Sequence, residues 1–205
     1  MSSIKIKKFE DEGDWILARR TKITSTKLKN IYSVKGKGEK KGFYELIAER
    51  LALPRPEGEN KLQRGHDLES EAIELANKEL KKTFIHDLTF WQRKDNESIA
   101  VTPDAYLEDL TEAIEVKCLS SADHIKAVIL KKYPDEYKYQ VYQYFIVNDD
   151  LRILHFVMYD PSLSVRSYIR FEIKRQDIEE EISKFKKYEE EKLRQVNDIV
   201  NQLSF

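Results

Sequence analysis

The sequence predicts an α/β (α+β) fold in which a central mixed β-sheet is flanked by helices and followed by a long C-terminal helix. Three observations predict it. Apolar residues recur at helical spacing in the first third of the chain, short β-branched and aromatic runs fill the middle, and a charged amphipathic segment ends it. The length of 205 residues favours a single domain.

The first third is predicted to be helical, with breaks at proline, glycine and capping residues. The predicted helices here are Asp14–Arg20, Lys27–Tyr32, Gly42–Leu53 and Leu62–Leu80. Thr24-Ser25-Thr26 is a capping segment for the second helix. Residues 34–38 form a basic loop, and Pro54 ends the third helix.

The remainder alternates strands and helices. The predicted strands are Thr83–Trp91, Ser98–Thr102, Ala105–Leu107, Glu112–Leu119, Arg152–Tyr159 and Val165–Ile173. A helix capped at Ser120 runs to Leu130, and Pro134 opens another that runs to Asn148. Arg175–Gln202 is the long amphipathic helix.

Composition excludes several classes of protein. The lone cysteine, Cys118, excludes an internal disulfide and a cysteine-ligated zinc or iron–sulfur site, and we expect it to pack in the core. No apolar run approaches the roughly 20 residues that span a membrane. We see no signal-peptide pattern and therefore expect a cytoplasmic protein without a membrane segment.

Positive charge is concentrated near the N-terminus. The net charge is −1, but residues 5–41 hold twelve lysines and arginines against five acids. Such a local basic face can bind a polyanion even on a neutral protein. A solvated lysine-rich surface is the alternative interpretation.

Glu115 and Lys117 are the first candidates for chemistry. In the strand Glu112–Leu119 they point to one face, while Ile114 and Val116 point to the other. An ordinary cross-strand Glu–Lys pair would give the same pattern, so the pair by itself is weak evidence.

Asp104 strengthens the case. It follows Pro103 and precedes Glu115 by eleven positions, so a hairpin-like bend can bring the two carboxylates together. Neighbouring carboxylates repel each other unless a cation compensates them, and Mg²⁺ prefers such oxygen ligands. Lys117 would then orient or deprotonate the attacking water, or stabilise charge on a phosphate.

Four sequence blocks carry a family resemblance. They are Trp15–Thr26 (like W-x3-R-x3-I-T-A-S), Gly65–Glu69 (like G-x3-E), Thr102-Pro103-Asp104 with Glu115-Val116-Lys117-Cys118 (like S-P-D … E-[ILV]-K-C), and Tyr137–Gln143 (like Y-x2-Q-x-Q). Together, over roughly residues 14–160, they resemble the PD-(D/E)xK nuclease superfamily, and within it the phage lambda-exonuclease and YqaJ-like viral recombinase family. Thr21 stands where that family has glycine, and Ser25-Thr26 replaces its A-S pair.

The resemblance implies a role for each matching residue. The implied metal ligands are Asp104, Glu115, the backbone carbonyl of Val116, and Glu69. Lys117 would act on the nucleophilic water, and Gln140 would place the lysine or the substrate phosphate. Arg19 and Thr26 would hold a DNA phosphate, with Arg20 as the rival of Arg19 because the register is ambiguous.

The resemblance also implies an architecture and an activity. It implies a restriction-endonuclease-like core in one domain, with a DNA-binding helical part (1–60), a catalytic core (61–173) and a C-terminal helix (174–205). The expected activity is 5′→3′ exonuclease digestion of linear double-stranded DNA with one or two Mg²⁺ ions, for which Mn²⁺ substitutes. Expected partners are a single-strand annealing protein, active in phage recombination, and further copies of the chain in a trimeric ring.

Two alternatives stay open at this point. One is a structure-specific or restriction-type endonuclease of the same superfamily. The other is a non-catalytic DNA-binding protein whose long C-terminal helix drives assembly.

Overall fold

The computed structural model describes residues 3–20, 22–33, 40, 42–43, 46, 63–119, 121–161, 163 and 166–204. The predicted basic loop (34–38), the break at Pro54 and most of the predicted helix Gly42–Leu53 lie outside these residues.

The predicted helices are present wherever the structure describes them. The helices are α1 (Glu12–Arg19), α2 (Ser25–Ile31), α3 (Gln63–Leu80), α4 (Ser121–Leu130), α5 (Lys138–Val147) and α6 (Glu179–Leu203). Short 3₁₀ turns at Asp135–Tyr137 and Arg175–Asp177 precede α5 and α6. The long C-terminal helix is therefore confirmed, beginning a few residues later than predicted.

The strands form two sheets. The strands are β1 (Ile4–Lys8), β2 (Thr89–Arg93), β3 (Ala100–Val101), β4 (Ala105–Tyr106), β5 (Glu112–Lys117), β6 (Ile153–Tyr159) and β7 (Tyr168–Lys174). The central sheet has the order β4-β5-β6-β7 and is mixed, because β5 and β6 run parallel and the other pairs antiparallel. The chain passes through α4 and α5 between the two parallel strands.

The second sheet differs from the prediction. β1 was not expected, yet it pairs antiparallel with β2, which pairs with β3. Its sequence Ile-Lys-Ile-Lys-Lys alternates apolar and basic residues, the pattern of a half-exposed edge strand. The strand predicted from Thr83 begins at Thr89, and before it only Ile85 forms an isolated bridge, to Tyr106.

Both faces of the central sheet are covered. Ile114 and Val116 of β5 pack with Ala72 and Ile73 of α3 on one face. On the other face Ala113 belongs to a larger apolar cluster that includes residues of α5 and α6. Because β5 is buried on both sides, Glu115 lies inside the protein, with 2% of its surface exposed.

A polar network fastens the C-terminal end of α3 to the sheet. Lys82 Nζ lies 2.6 Å from a Glu112 oxygen, and His155 Nε2 lies 3.0 Å from the other. Arg170 donates to Glu79 of α3 at 3.1 and 3.2 Å. Helix α3 is therefore held against strands β5, β6 and β7.

Among the described residues, no helix combines the length and the apolar character needed to cross a bilayer.

Helix α1 is fixed at its first turn by Asp11. This N-cap residue has extended backbone angles, and its Oδ1 accepts the Asp14 N–H at 3.1 Å. We expect Asp11→Ala to lower the free energy of unfolding by about 1 kcal/mol, because an amide at the helix start loses its acceptor. Urea denaturation measures the change. Asp11→Asn, which keeps the acceptor, is the control and should remain close to the parent.

Candidate active site

Glu115 is the centre of a buried polar cluster on β5. Its Oε1 accepts hydrogen bonds from Lys117 Nζ and Gln140 Nε2, and its Oε2 accepts one from the Tyr144 hydroxyl. Gln140 and Tyr144 are one turn apart on α5, so they present their polar groups to the same face of the sheet. Gln140 is therefore in direct hydrogen-bond contact with Glu115.

Asp104 is held beside Glu115 by the β4–β5 hairpin. The Asp104 N–H donates to the Ile114 carbonyl at 3.2 Å, and the Val116 N–H donates to Asp104 Oδ2 at 2.6 Å. The N–H and C=O of a strand residue lie on the same edge of the strand, so the Val116 carbonyl also faces this hairpin. The two carboxylates that the residue pattern singled out, and the carbonyl that the resemblance implied, thus lie near one end of β5.

The acidic side chains of the cluster are close enough to repel one another. Burial, together with the charges of Glu115 and Glu69, raises the pKa of Asp104 well above its usual range. Burial lowers the pKa of Lys117, but the carboxylates of Glu115 and Asp104 outweigh it and raise that pKa overall. The single positive charge of Lys117 therefore faces more than one carboxylate. The excess negative charge would stabilise a further cation.

A cleft of about 370 Å³ opens beside Asp104. Its acidic lining consists of Glu12, Glu69, Asp87 and Asp104. Its apolar lining consists of Trp15, Leu88 and Pro103. Of the acids, Asp87 is paired with Lys8 at 2.8 Å. A cleft with this lining repels a phosphate unless cations bind in it.

Glu69 lines the cleft together with Asp104. Helix α3 carries it into the cleft beside Asp104, and its side chain is 22% exposed. Its charge acts on Asp104 and on the Cys118 thiol. Glu69 therefore shares one site with Asp104 although 35 positions separate them in sequence.

The N-terminal block reaches the same cleft through Trp15. Trp15 is buried and forms part of the cleft wall. The Arg19 guanidinium lies 4.3 Å from the centre of the Trp15 ring, a stacked cation–π arrangement. Thr26 is exposed on α2, and its hydroxyl lies 3.3 Å from that of Thr24. Arg19 is thus in contact with a residue of the cleft wall.

Thr102 adds a polar group to the cleft. Its carbonyl oxygen lies 3.1 Å from the Tyr144 hydroxyl, which donates to Glu115. Its own Oγ1 is buried and has no hydrogen-bond partner among the described residues. A buried hydroxyl without a partner is costly, so this wall of the cleft carries an unsatisfied polar group.

These residues fit a hard divalent cation. Within the part of the chain that the structure describes, no three His, Cys, Asp or Glu side chains stand grouped as a ready-made metal cage. Mg²⁺ does not require one, since it binds through one or two carboxylates and completes its shell with water and phosphate oxygens. The crowding that raises the pKa of Asp104 is the kind that such a cation relieves.

The residue pattern missed two residues of the cluster, and one expectation was wrong. Tyr144 contacts Glu115 directly, and the Gln140–Tyr144 spacing of four was the available signal. His86 contacts the Asp104 carbonyl, and no spacing indicated it. Cys118 is exposed rather than packed in the core, because β5 ends at Lys117 and the chain leaves the sheet there.

The fold defines a class of protein. The structure is similar to that of an alkaline exonuclease from Laribacter hongkongensis, with a TM-score of 0.76 and 22% identity over 93% of this chain and 95% of that one. The same values hold for that exonuclease in complex with dAMP. A phage-related exonuclease from Haemophilus somnus 129PT matches with a TM-score of 0.57 and 18% identity, over 89% of this chain and 96% of that one.

The family follows from the sequence. The model of the YqaJ-like viral recombinase domain matches residues 14–150, which is more than half of the chain. The chain therefore belongs to the YqaJ-like viral recombinase domain family, and its fold is that of the alkaline exonucleases. Among curated proteins none matches.

Proposed function

We propose that this protein is a metal-dependent DNA exonuclease that hydrolyses phosphodiester bonds at the ends of linear double-stranded DNA. The observation that carries the proposal is the cluster of Asp104, Glu115 and Lys117, which meets an acidic cleft at Asp104. Family membership and the names of the structural neighbours support the same activity.

The residues divide the chemistry among them. Asp104, Glu115 and the Val116 carbonyl would hold one Mg²⁺ or Mn²⁺, and Glu69 would reach that ion or a second one. A bound divalent ion polarises the phosphate and makes a water more acidic. Lys117 orients the attacking water and stabilises charge that develops on the phosphate.

Gln140 and Tyr144 keep Glu115 in place. Both donate to its carboxylate from α5, so the side chain is held in one orientation. Groups held rigidly before substrate arrives do not need to reorganise during the reaction. We assign these two residues to orientation of the metal-binding carboxylate.

The entrance to the cleft suits a DNA end. Arg19, stacked on Trp15, presents a planar guanidinium suited to bidentate contact with a phosphate. Thr102 lines the same cleft. We propose that these groups and Thr26 hold a terminal 5′-phosphate, so that digestion runs 5′→3′. The exposed single strand would then pass to an annealing protein in recombination, and a ring of copies would keep the enzyme on DNA.

The assignment of Arg19 predicts a change in end preference. We expect Arg19→Ala to reduce the digestion rate of 5′-phosphorylated duplex about 10- to 100-fold, the effect of losing one charge-assisted hydrogen bond of about 1.5–3 kcal/mol. Duplex with a 5′-hydroxyl should be affected much less. Arg20→Ala is the matched control. If both variants lose the same activity on both kinds of end, Arg19 does not recognise the phosphate.

Digestion of matched DNA forms tests the proposed function as a whole. Purified protein is incubated with Mg²⁺ and with 5′-phosphorylated linear duplex, 5′-hydroxyl linear duplex or covalently closed circles. The proposal requires mononucleotides from the linear forms and intact circles. Cleavage of circles at the same rate would identify an endonuclease instead, and no cleavage at all would leave the DNA-binding alternative.

A further inference from the structure

His86 connects the two parts of the site that come from distant segments. It lies between α3 and β2, next to Ile85, which is fixed by reciprocal backbone hydrogen bonds with Tyr106 of 2.8 and 3.0 Å. Its side chain is 34% exposed and lines the cleft together with Glu69 and Asp104. The ring is therefore built into the site although no sequence motif includes it.

The contacts of the ring fix its protonation pattern. Its Nδ1 lies 2.8 Å from the Asp104 carbonyl oxygen. A carbonyl can only accept, so Nδ1 carries the proton and donates it. Nε2 is then the acceptor in the neutral ring and lies 3.3 Å from the hydroxyl of Ser70, the neighbour of Glu69 on α3.

The two contacts span the gap between two proposed metal ligands. One side of the ring holds the backbone of Asp104, and the other side contacts the turn of α3 that carries Glu69. The same Nδ1 lies 3.9 Å from Glu69 Oε1, beyond hydrogen-bond distance but within reach of its charge. The ring therefore lies between the backbone of Asp104 and the turn of α3 that carries Glu69.

We propose that His86 is a positioning residue that sets the spacing of Asp104 and Glu69 for a divalent cation. The inference rests on the proposed metal-dependent function. His86 acts through the ligands, much as partners behind metal ligands orient them in other proteins. His86 neither transfers a proton nor binds the ion.

Two substitutions of His86 distinguish positioning of the metal ligands from a role in packing alone. His86→Ala removes both contacts. His86→Asn places an amide nitrogen as many bonds from the backbone as Nδ1, so it restores the donor to the Asp104 carbonyl. His124→Ala is the matched control, because His124 also contacts a backbone carbonyl, that of Arg166 at 2.8 Å, and does not line the cleft.

Calorimetric titration of the DNA-free protein with Mn²⁺ provides the test, with thermal melting of each variant alongside. We expect His86→Ala to weaken Mn²⁺ affinity about 10- to 100-fold. His86→Asn should recover most of that loss, and His124→Ala should bind as the parent does. In nuclease assays the alanine variant should need more Mn²⁺ for half-maximal rate, with little change in KM for DNA.

The outcomes distinguish the two proposals. If the parent binds Mn²⁺ and His86→Ala binds it equally well, His86 does not position the ligands, while the metal site stands. If His86→Asn is as weak as His86→Ala, the donor to Asp104 is not the reason for the effect, and the inference is wrong. If the parent itself binds no Mn²⁺, the proposed metal-dependent function fails and this inference fails with it.

Discussion

Asp104→Asn is expected to lower the rate of DNA digestion about 1,000-fold or more while making the metal-free protein more stable. The asparagine oxygen keeps the hydrogen bond from the Val116 N–H, so the hairpin is retained. The negative charge is lost, and with it a ligand of the proposed cation. Loss of one such electrostatic contribution typically costs about 100- to 1,000-fold in rate, and a metal ligand belongs at the upper end.

The gain in stability follows from the pKa of Asp104. Burial and the charges of Glu115 and Glu69 raise it in the folded protein, so the folded state holds the proton more tightly than the unfolded state does. Stability is then highest below the unfolded value of 3.8 and decreases as the pH rises toward the folded pKa. A neutral asparagine does not experience this penalty.

Urea denaturation with EDTA, in parallel with the digestion assay, measures both effects. The control is Asp109→Asn, because Asp109 is a hydrogen-bonded loop aspartate whose pKa is lowered through its bonds with Thr111. That control should lose a little stability and keep its activity. An Asp104→Asn variant that is both unstable and inactive would show that the residue is chiefly structural.

Glu189→Gln is expected to stabilise the protein by about 3 kcal/mol at pH 7, which is about 1.36 kcal/mol for each pH unit above the unfolded pKa. Glu189 of α6 is completely buried, and burial raises its pKa from 4.5 to about 8. Its Oε1 accepts the Gln143 amide at 2.9 Å, and the same amide nitrogen lies 3.3 Å from the carbonyls of Ile23 and Ala100. A glutamine keeps the acceptor for Gln143 without an ionisable group.

The pH dependence gives this prediction a signature. Because the folded pKa lies above the unfolded one, stability is intact below pH 4.5 and is lost as the pH rises from 4.5 to about 8. Parent and variant should therefore be equally stable near pH 4 and diverge progressively up to pH 8. Denaturation curves at one-unit pH intervals measure this, and a constant difference at every pH would contradict it.

Much of the site could be predicted because its signals are local. The alternation of side chains along β5 placed Glu115 and Lys117 on one face. The short stretch of sequence between Asp104 and Glu115 predicted a hairpin-like bend. Glu69 and Gln140 needed the family resemblance, since a helix acid and an amide on a tyrosine-rich helix have no distinctive pattern of their own. The structure brings both to the cluster.

The features that were missed depend on distant contacts. Strand β1 becomes a strand by pairing with β2, more than eighty positions later, and five alternating residues are too short to predict that partner. His86 reaches the site because Ile85 pairs with Tyr106, a register that no local signal reveals. Tyr144 was within reach of prediction, because its spacing from Gln140 places both on one helix face.

The dependence of hydrolysis on the metal and on Asp104 is the most direct test of the proposed metal-dependent active site. Release of labelled mononucleotides from a 5′-phosphorylated linear duplex is followed for the parent and for Asp104→Asn, with Mg²⁺ and with EDTA. We predict rapid release by the parent with Mg²⁺, none with EDTA, and a rate at least about 1,000-fold lower for the variant. Equal release with EDTA, or a variant as active as the parent, would contradict a metal-dependent site built on Asp104 and Glu115.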